Sequence, residues 1–277
     1  MATHYRGPLL GDRDSMAGFL SDAPIEFFGK QIWQVYFNDF VDNDFDYDDS
    51  GVFWTLTQVS VGGSASIITV ANSDTGVLRL DCPANLDGPI IQVDSGATAG
   101  LASMGVTPTD ATSSVAASDA IFMSRFRILD VSAQGVFVGL AELNVTSAVI
   151  GTPSGAITSD THIGFSQATT DAGAIIFSVA GDDDTAAVSK TGTDVIPSAL
   201  ADGEWIEVAV RATGTTGYKA YVKGGGREAR WREIANGSLS AGWDAQMLIS
   251  MANLGSGTGD DLDVDYVMFA QRRDMIP

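Results

Sequence analysis

The sequence is poor in the residues that build disulfides, metal centres and nucleic-acid surfaces. Its 277 residues include one cysteine, Cys82, and two histidines, so neither an intrachain disulfide nor a cysteine–histidine zinc cluster can form. There are 15 basic residues against 35 acidic ones, and the net charge of −20 disfavours nucleic acid, which needs a basic footprint. We therefore predict no direct nucleic-acid partner, and we expect Cys82 to be a buried apolar side chain.

Long apolar runs are also missing. No stretch approaches the roughly 20 apolar residues that a membrane-spanning helix needs. The first residues, MATHYRGPLLGDRD, lack the apolar central region of a signal peptide. We therefore expect a protein that is made in a cytoplasm and has no membrane partner.

Catalytic motifs are absent as well. There is no GxSxG nucleophile elbow, and the glycines at 224–226 are not followed by the Lys-Ser/Thr of a phosphate-binding loop. His162 opens the run THIGF, where we expect a hydrogen-bonded structural histidine rather than a catalytic base. We predict no catalytic residues and no cofactor.

What the chain does have is apolar alternation with a period of two. It is clearest in residues 202–223, DGEWIEVAVRATGTTGYKAYVK, which read as two strands joined by a glycine-bearing turn at 213–217. One side of this hairpin is predicted to face the core: Ile206, Val208, Val210, Tyr218 and Val222. The other side is predicted to face solvent or a partner: Glu207, Arg211, Lys219 and Lys223.

Strand-like runs recur from residue 52 onward, separated by clusters of Gly, Pro, Asn and Asp. Residues 120–132 are predicted to form a hairpin with 135–143, and 162–168 with 173–181. Trp205, Trp231 and Trp243 lie in or beside such runs, so core packing is favoured over sugar stacking. With no βαβ alternation and no repeat, the pattern predicts an all-β, two-sheet antiparallel sandwich.

The first 54 residues divide into two unlike segments. Residues 1–26 lack periodicity, and their first 13 residues are locally basic. Residues 27–54 contain ten of the 24 aromatic residues, too many for a solvated linker. We predict an extended N-terminal arm over 1–34 and the sandwich over 35–277. Partner contacts are predicted at six positions: Arg6, Arg13, Phe27, Phe28, Trp33 and Tyr36.

Clustered aspartates provide the candidate metal ligands. Asp42, Asp44 and Asp46 resemble a calcium loop, but Tyr47 occupies the position where an EF-hand needs glycine. Asp263 and Asp265 are two residues apart on a predicted strand and so share a face. Their spacing would suit the pair of carboxyl groups of a glycosidase. We nevertheless expect them to accept hydrogen bonds from loop amides or to ligate a structural cation. A structural Ca²⁺ at one of these clusters stays an open alternative.

Taken in order, several motifs resemble one family. They are YFNDFVDND…GVFWTLTQVSVGGSASI, TGVLRLD, FMSRFRILDVSAQGVFVGLAE, DTHIGFSQATTDAGAIIFSVAG, DGEWIEVAVRATG…YKAYVKG, AQMLISMANL and DLDVDYVMFAQRR. Together, over about residues 35–273, they are similar to the concanavalin A-like (laminin G-like) jelly roll, in the version found in virion structural proteins of tailed bacteriophages.

The resemblance implies a role without catalysis. It implies a jelly-roll sandwich that decorates or cements the outer surface of a phage capsid, contacts the major capsid protein and forms a homo-oligomer, a dimer or a trimer. The Glu-x-Asp-x-x-Glu strand of the related glucanases does not occur in this sequence. Two alternatives stay open: a lectin-like module that binds host-surface glycans from a tail or head fibre, and a glucanase-type hydrolase.

Overall fold

The computed structural model describes seventeen strands and the connecting residues 129–133, 173–175, 195–196, 198–204 and 230–231. The strands up to β9 are β1 (Trp33–Asn38), β2 (Trp54–Gln58), β3 (Ser64–Thr69), β4 (Gly76–Cys82), β5 (Asp87–Val93), β6 (Ala120–Ile128), β7 (Gln134–Glu142), β8 (Ile150–Gly151) and β9 (Ala156–Ile157). The remaining strands are β10 (His162–Gln167), β11 (Ile176–Ala180), β12 (Val188–Lys190), β13 (Trp205–Thr213), β14 (Gly217–Gly224), β15 (Arg232–Ser238), β16 (Ala245–Asn253) and β17 (Asp260–Arg272).

The strands form two large antiparallel sheets and a small ribbon of β8 and β9. The eight-stranded sheet has the order β15-β14-β13-β6-β17-β4-β3, with β1 pairing to β17 beside this path. The seven-stranded sheet has the order β12-β11-β10-β7-β16-β5-β2. The two sheets pack as a sandwich, and the prediction of an all-β antiparallel sandwich is confirmed. The described residues contain no helix long and apolar enough to cross a membrane.

Apolar side chains from both sheets fill the space between them. The strands whose side chains are described contribute alternate residues to it, as the alternation requires. The largest fully buried side chains in this core are Phe122, Phe126, Phe165, Phe177, Phe269, Leu78 and Leu80. Cys82 is buried in this core, as the sequence predicted.

Two of the predicted hairpins are confirmed. β13 pairs with β14, with Ile206 opposite Gly224 and Thr213 opposite Gly217, and β10 pairs with β11. All five residues that the hairpin pattern assigned to the core are in the core cluster. β14 ends at Gly224, which has a positive φ of +100°. A Cβ added there would lie 2.9 Å from the Trp205 carbonyl oxygen.

The predicted hairpin between residues 120–132 and 135–143 is wrong. β6 lies in the eight-stranded sheet and β7 in the seven-stranded one, so the connection crosses from one layer to the other. At the crossing, the amide N–H groups of Ala133 and Gln134 donate to the carbonyl oxygen of Asp130, at 3.3 and 3.1 Å. Period-two alternation fits both connections, because it specifies which face of a strand is apolar but not which sheet the strand joins.

β1 joins the N-terminal part of the chain to its last strand. Its six residues pair antiparallel with the C-terminal half of β17, from Trp33 opposite Arg272 to Asn38 opposite Val267. β4 pairs with the N-terminal half of β17, from Asp260 to Val264. The long last strand therefore has two partners in line on the same side, and residues 1–32 precede the first described strand.

Candidate functional site

The face of the eight-stranded sheet that points away from the core carries a network of ion pairs, which we call the charge ladder. Its paired carboxylates and cations alternate from strand to strand, because cross-strand neighbours on one face come within contact distance. Carboxylates come from β15, β13 and β17, and cations from β14, β6 and β4. The members are Glu233, Lys219, Lys223, Glu207, Arg125, Arg127, Asp261, Asp263, Asp265 and Arg79.

Asp263 is the most buried member of the charge ladder, with a side chain that is 0% exposed. Arg79 on β4 approaches it as a fork, with Nε 2.7 Å from Oδ1 and Nη2 2.9 Å from Oδ2. Arg127 on β6 donates from Nε and Nη2 to Oδ2, at 2.9 and 2.7 Å. The hydrogen bonds to Asp263 raise the pKa of Arg79, and burial opposes this effect. Both carboxylate oxygens are therefore occupied by guanidinium donors.

Asp265 lies at a β-bulge in β17. The pairing between β17 and β6 shifts between Val264 and Tyr266, so one extra residue is accommodated there. Asp265 Oδ2 accepts from Arg125 Nη1 at 2.8 Å. At the bulge, the Ser124 hydroxyl donates to the Tyr266 carbonyl oxygen at 3.0 Å. The described partners of Asp263 and Asp265 are thus arginines of neighbouring strands. A structural cation beside these aspartates stays a prediction.

Trp205 packs against the two arginines that β6 contributes to the charge ladder. The guanidinium carbons of Arg125 and Arg127 each lie 4.7 Å from the centroid of its ring, within the range of cation–π attraction. Lys223 lies 6.0 Å from the ring centroid of Trp231. Trp205 belongs to neither apolar cluster, so the prediction of core packing is wrong for it. Trp231 packs against an apolar cluster on the outer face rather than in the core between the sheets. Trp243 lies outside the described residues.

Two tyrosines are built into the same face. Burial and the neighbouring Glu207, whose Oε2 accepts the Tyr266 hydroxyl at 3.2 Å, raise the pKa of Tyr266 well above its ordinary value. Burial and Glu233 raise the pKa of Tyr221 to about 12. Both tyrosines are therefore neutral hydrogen-bonding groups across the physiological pH range.

Beyond the charge ladder the same face becomes apolar. A second apolar cluster, separate from the core between the sheets, lies here, and Trp231 packs against it. Its members are Ile121, Met123, Ala209, Tyr221, Tyr266, Met268 and Ala270. Arg211 points to this face and is only 7% exposed. The prediction of a solvent- or partner-facing side therefore applies to Glu207, Lys219 and Lys223, while Arg211 is a buried guanidinium.

The outer face of the seven-stranded sheet is built from small and polar residues. Phe137 lies across Gly139 and Gly164, where an added Cβ at Gly164 would meet the ring at 2.8 Å. His162 Nε2 is 3.0 Å from the Ser178 hydroxyl, which agrees with the expected structural histidine. Within the described part of this face, His162, Ser166, Ser178, Ser250 and Phe137 are at most 5% exposed. These side chains therefore do not form an open cleft.

The other predicted site residues are only partly described. Trp33 and Tyr36 lie in β1, opposite Arg272 and Phe269. Seven more fall outside the described residues: Arg6, Arg13, Phe27, Phe28, Asp42, Asp44 and Asp46. No group of three His, Cys, Asp or Glu side chains suited to a metal lies within the described part of the chain.

The sequence did not identify the arginine partners of Asp263. Arg79, Arg127 and Asp263 are separated by 184 and 136 positions along the chain, so no local motif unites them. One signal was present: Arg125 and Arg127 share a face of the predicted strand at 120–132. Their positive charge is complementary to the aspartates of β17, but the strand order is needed to show that the two strands are neighbours.

Comparisons with known proteins support the fold. No family model matches this sequence, and no curated protein matches it. Among solved structures, peanut lectin in complex with a nine-residue peptide is similar at a TM-score of 0.55 and 10% identity, covering 88% of this chain and 99% of that chain. The fold is thus a concanavalin A-like, lectin-like jelly roll.

Two further similar structures show how varied proteins of this fold are. The CBM2 module of the evolved Dit of Lactobacillus casei BL23 phage J-1 has a TM-score of 0.50 at 11% identity, covering 89% of this chain and 100% of that chain. The laminarinase catalytic domain of Thermotoga maritima MSB8 has a TM-score of 0.52 at 10% identity, with 89% and 100% covered. Lectins and a glycan-active enzyme share the architecture, so the fold alone does not assign an activity.

Replacing Asp263 by asparagine tests whether the charge ladder holds the sheet together. Asp263→Asn leaves two guanidiniums without their shared counter-charge, so we expect the free energy of unfolding to fall by about 3–5 kcal/mol. Glu233→Gln is the matched control, because its pair with Lys219 is exposed, at 3.5 Å, and its loss should cost below about 1 kcal/mol. Urea denaturation measures both variants, and equal small losses would contradict the structural role of Asp263.

The raised pKa of Tyr266 predicts a loss of stability in alkali. A folded-state pKa above the unfolded value means that the folded chain holds its proton longer. The stabilisation is complete below the unfolded pKa of about 10 and falls by up to ~1.4 kcal/mol per pH unit above it. Tyr266→Phe should lose the hydrogen bond to Glu207 but show a shallower decline above pH ~10. Parallel curves for the variant and the wild type, measured by denaturation at each pH, would contradict this assignment.

Proposed function

We propose that this chain is a virion structural protein without enzymatic activity that decorates the outer surface of the capsid of a tailed bacteriophage. The order of its sequence motifs, which is similar to that of phage virion jelly rolls, supports this proposal. A phage protein module, that of the J-1 Dit, is also among the structures of similar fold. The major capsid protein is the proposed partner, and a homo-oligomer, a dimer or a trimer, is the proposed state on the virion.

The observation that carries the proposal is the double clamp on Asp263. A glycosidase needs two carboxyl groups that face the substrate. Asp263 is fully buried with both oxygens bound by guanidinium donors, and Asp265, 8% exposed, is paired with Arg125. The two aspartates with glycosidase spacing thus brace the sheet instead of facing a substrate. This arrangement favours a structural body over a glucanase.

β1 suggests how such a body is attached. It is paired along its length with β17, so residues 1–32 start from a fixed point on the eight-stranded sheet. Arm contacts made only with an assembled shell would stabilise that shell by mass action. Several copies in a symmetric cluster would add avidity. The arm is therefore the proposed capsid-binding element, with Arg6, Arg13, Phe27 and Phe28 as its contact residues.

Deletion of residues 1–26 tests the arm. The deletion keeps β1, so the sandwich should retain its thermal unfolding midpoint and its β-rich circular dichroism spectrum. Binding to purified capsids, measured by co-sedimentation, should be abolished. A truncated protein that still binds capsids as well as the full chain would contradict the role of the arm. Immunogold labelling of intact particles would separate a head location from a tail location.

A lectin-like glycan-binding module is the second candidate. The specific observation in its favour is the partly exposed surface of Trp205, Trp231 and nearby cations on the charge ladder. The similarity of the fold to peanut lectin is consistent with it. Possible ligands are host-surface glycans, and this role would place the protein on a fibre or at an exposed position of the head.

A glycan array tests this second candidate. The expected result is binding to a restricted set of glycans above the background of the unmodified surface. Repeating the array with a chelator tests the calcium alternative, since a Ca²⁺-dependent site would lose its signal. A flat array at high protein concentration would contradict the glycan-binding function.

A further inference from the structure

The ion pairs of the charge ladder all have the same orientation relative to solvent. In each described pair the cation is the more exposed partner. The side-chain exposures are 28% for Arg79 against 0% for Asp263 and 16% for Asp261, 37% for Arg125 against 11% for Asp265, 17% for Arg127 against 0% for Asp263, 26% for Lys223 against 17% for Glu207, and 45% for Lys219 against 36% for Glu233. A molecule that approaches this face therefore meets guanidinium and ammonium groups before carboxylates.

The exposed cations are also regularly spaced. They come from β4, β6 and β14, which are every second strand in the order β14-β13-β6-β17-β4. Neighbouring strands are about 4.8 Å apart, so the rows of cations repeat at roughly 10 Å across the sheet. Within β6 the two arginines are two residues apart, which is about 6.5–7 Å along the strand. The result is a regular array of positive groups.

Trp205 fixes the centre of this array. Its ring has Arg125 and Arg127 each at 4.7 Å, which limits the motion of both side chains before a ligand arrives. Ordering flexible side chains is one of the main costs of binding, so this restraint lowers that cost. Arg125 uses Nη1 for Asp265, and a guanidinium has five N–H donors. It can therefore donate to a second anion while the ion pair stays intact.

We propose that the charge ladder is a binding surface for a linear acidic polysaccharide, whose carboxylate or sulfate groups bond to Arg125, Arg127 and Lys223. The proposal makes the second candidate function specific, and it rests on that candidate rather than on attachment to a capsid. With a net charge of −20, the protein as a whole repels polyanions. An outward-facing row of cations provides a local surface on which such a chain can lie.

The same features disfavour a protein partner at this face. Protein interfaces depend on buried aromatic or arginine anchors that insert into pockets of the partner. Here the ring of Trp205 is already in contact with two guanidiniums, and the arginines are held in pairs across the sheet. A surface with repeating charges matches a ligand with repeating charges better than it matches a globular surface.

Binding to defined polyanions tests the proposal. The full-length protein is titrated with alginate, heparin and uncharged dextran by isothermal calorimetry in 50 mM salt and again in 300 mM salt. We expect binding to alginate or heparin but not to dextran, and weaker binding at the higher salt, because screening acts on exposed charges. The two polyanions distinguish carboxylate from sulfate ligands.

Single substitutions locate the binding surface. Arg125→Gln should weaken binding about tenfold, since hydrogen bonds to charged groups contribute ~1.5–3 kcal/mol. Lys223→Gln should also weaken it, and it tests a separate ion pair, with Glu207, if Arg125→Gln proves unstable. Lys190→Gln is the control, because it removes the same charge from β12 at the edge of the other sheet. It should bind as the wild type does.

Three outcomes would overturn the proposal. The first is no binding of either polyanion at 50 mM salt while the protein is folded. The second is an equal loss of affinity for Arg125→Gln, Lys223→Gln and Lys190→Gln, which would indicate attraction without a site. The third is a wild-type dimer that Arg125→Gln dissociates in sedimentation experiments without polyanion binding, which would make this face an interface between copies. None of them depends on the capsid-binding result for the N-terminal deletion.

Discussion

The clamp of Arg79 and Arg127 on Asp263 determines how three neighbouring strands of the eight-stranded sheet, β6, β17 and β4, lie side by side. A carboxylate that is 0% exposed is tolerated only with nearly ideal hydrogen bonds, and Asp263 receives four of them. A slip of one residue would turn Asp263 into the apolar core. The register of β4, β17 and β6 is therefore specified by charge as well as by apolar packing.

The β-bulge in β17 follows from the demands of the two halves of that strand. Its first half needs Asp263 on the outer face, opposite the arginines. Its second half needs Val267 and Phe269 in the core and Met268 on the outer face. One extra residue between Val264 and Tyr266 brings Tyr266 to the outer face, near Glu207. The raised pKa of Tyr266, caused mainly by burial and then by Glu207, is a consequence of this position.

The sequence predicted those parts of the fold that depend on local patterns. Alternation identified Ile206, Val208 and Val210 as core residues, and short connections predicted the two hairpins correctly. Alternation was insufficient to place β6 and β7, because a strand in the other sheet has the same alternation as a hairpin partner in the same sheet. The clamp on Asp263 was beyond local reasoning, since its partners depend on a strand order that joins positions far apart in the chain.

The outward position of the cations has a chemical cause. Aspartate has a short side chain, so its carboxylate lies close to the sheet, while an arginine can bury its methylene groups and extend its charged end to solvent. β17 carries aspartate at 261, 263 and 265, where glutamate would bring the negative charge further out. The ladder is thus neutral in its pairs but positive at its exposed surface. A protein with a net charge of −20 thus has one face whose outermost groups are cationic, which is the property that the proposed polysaccharide surface requires.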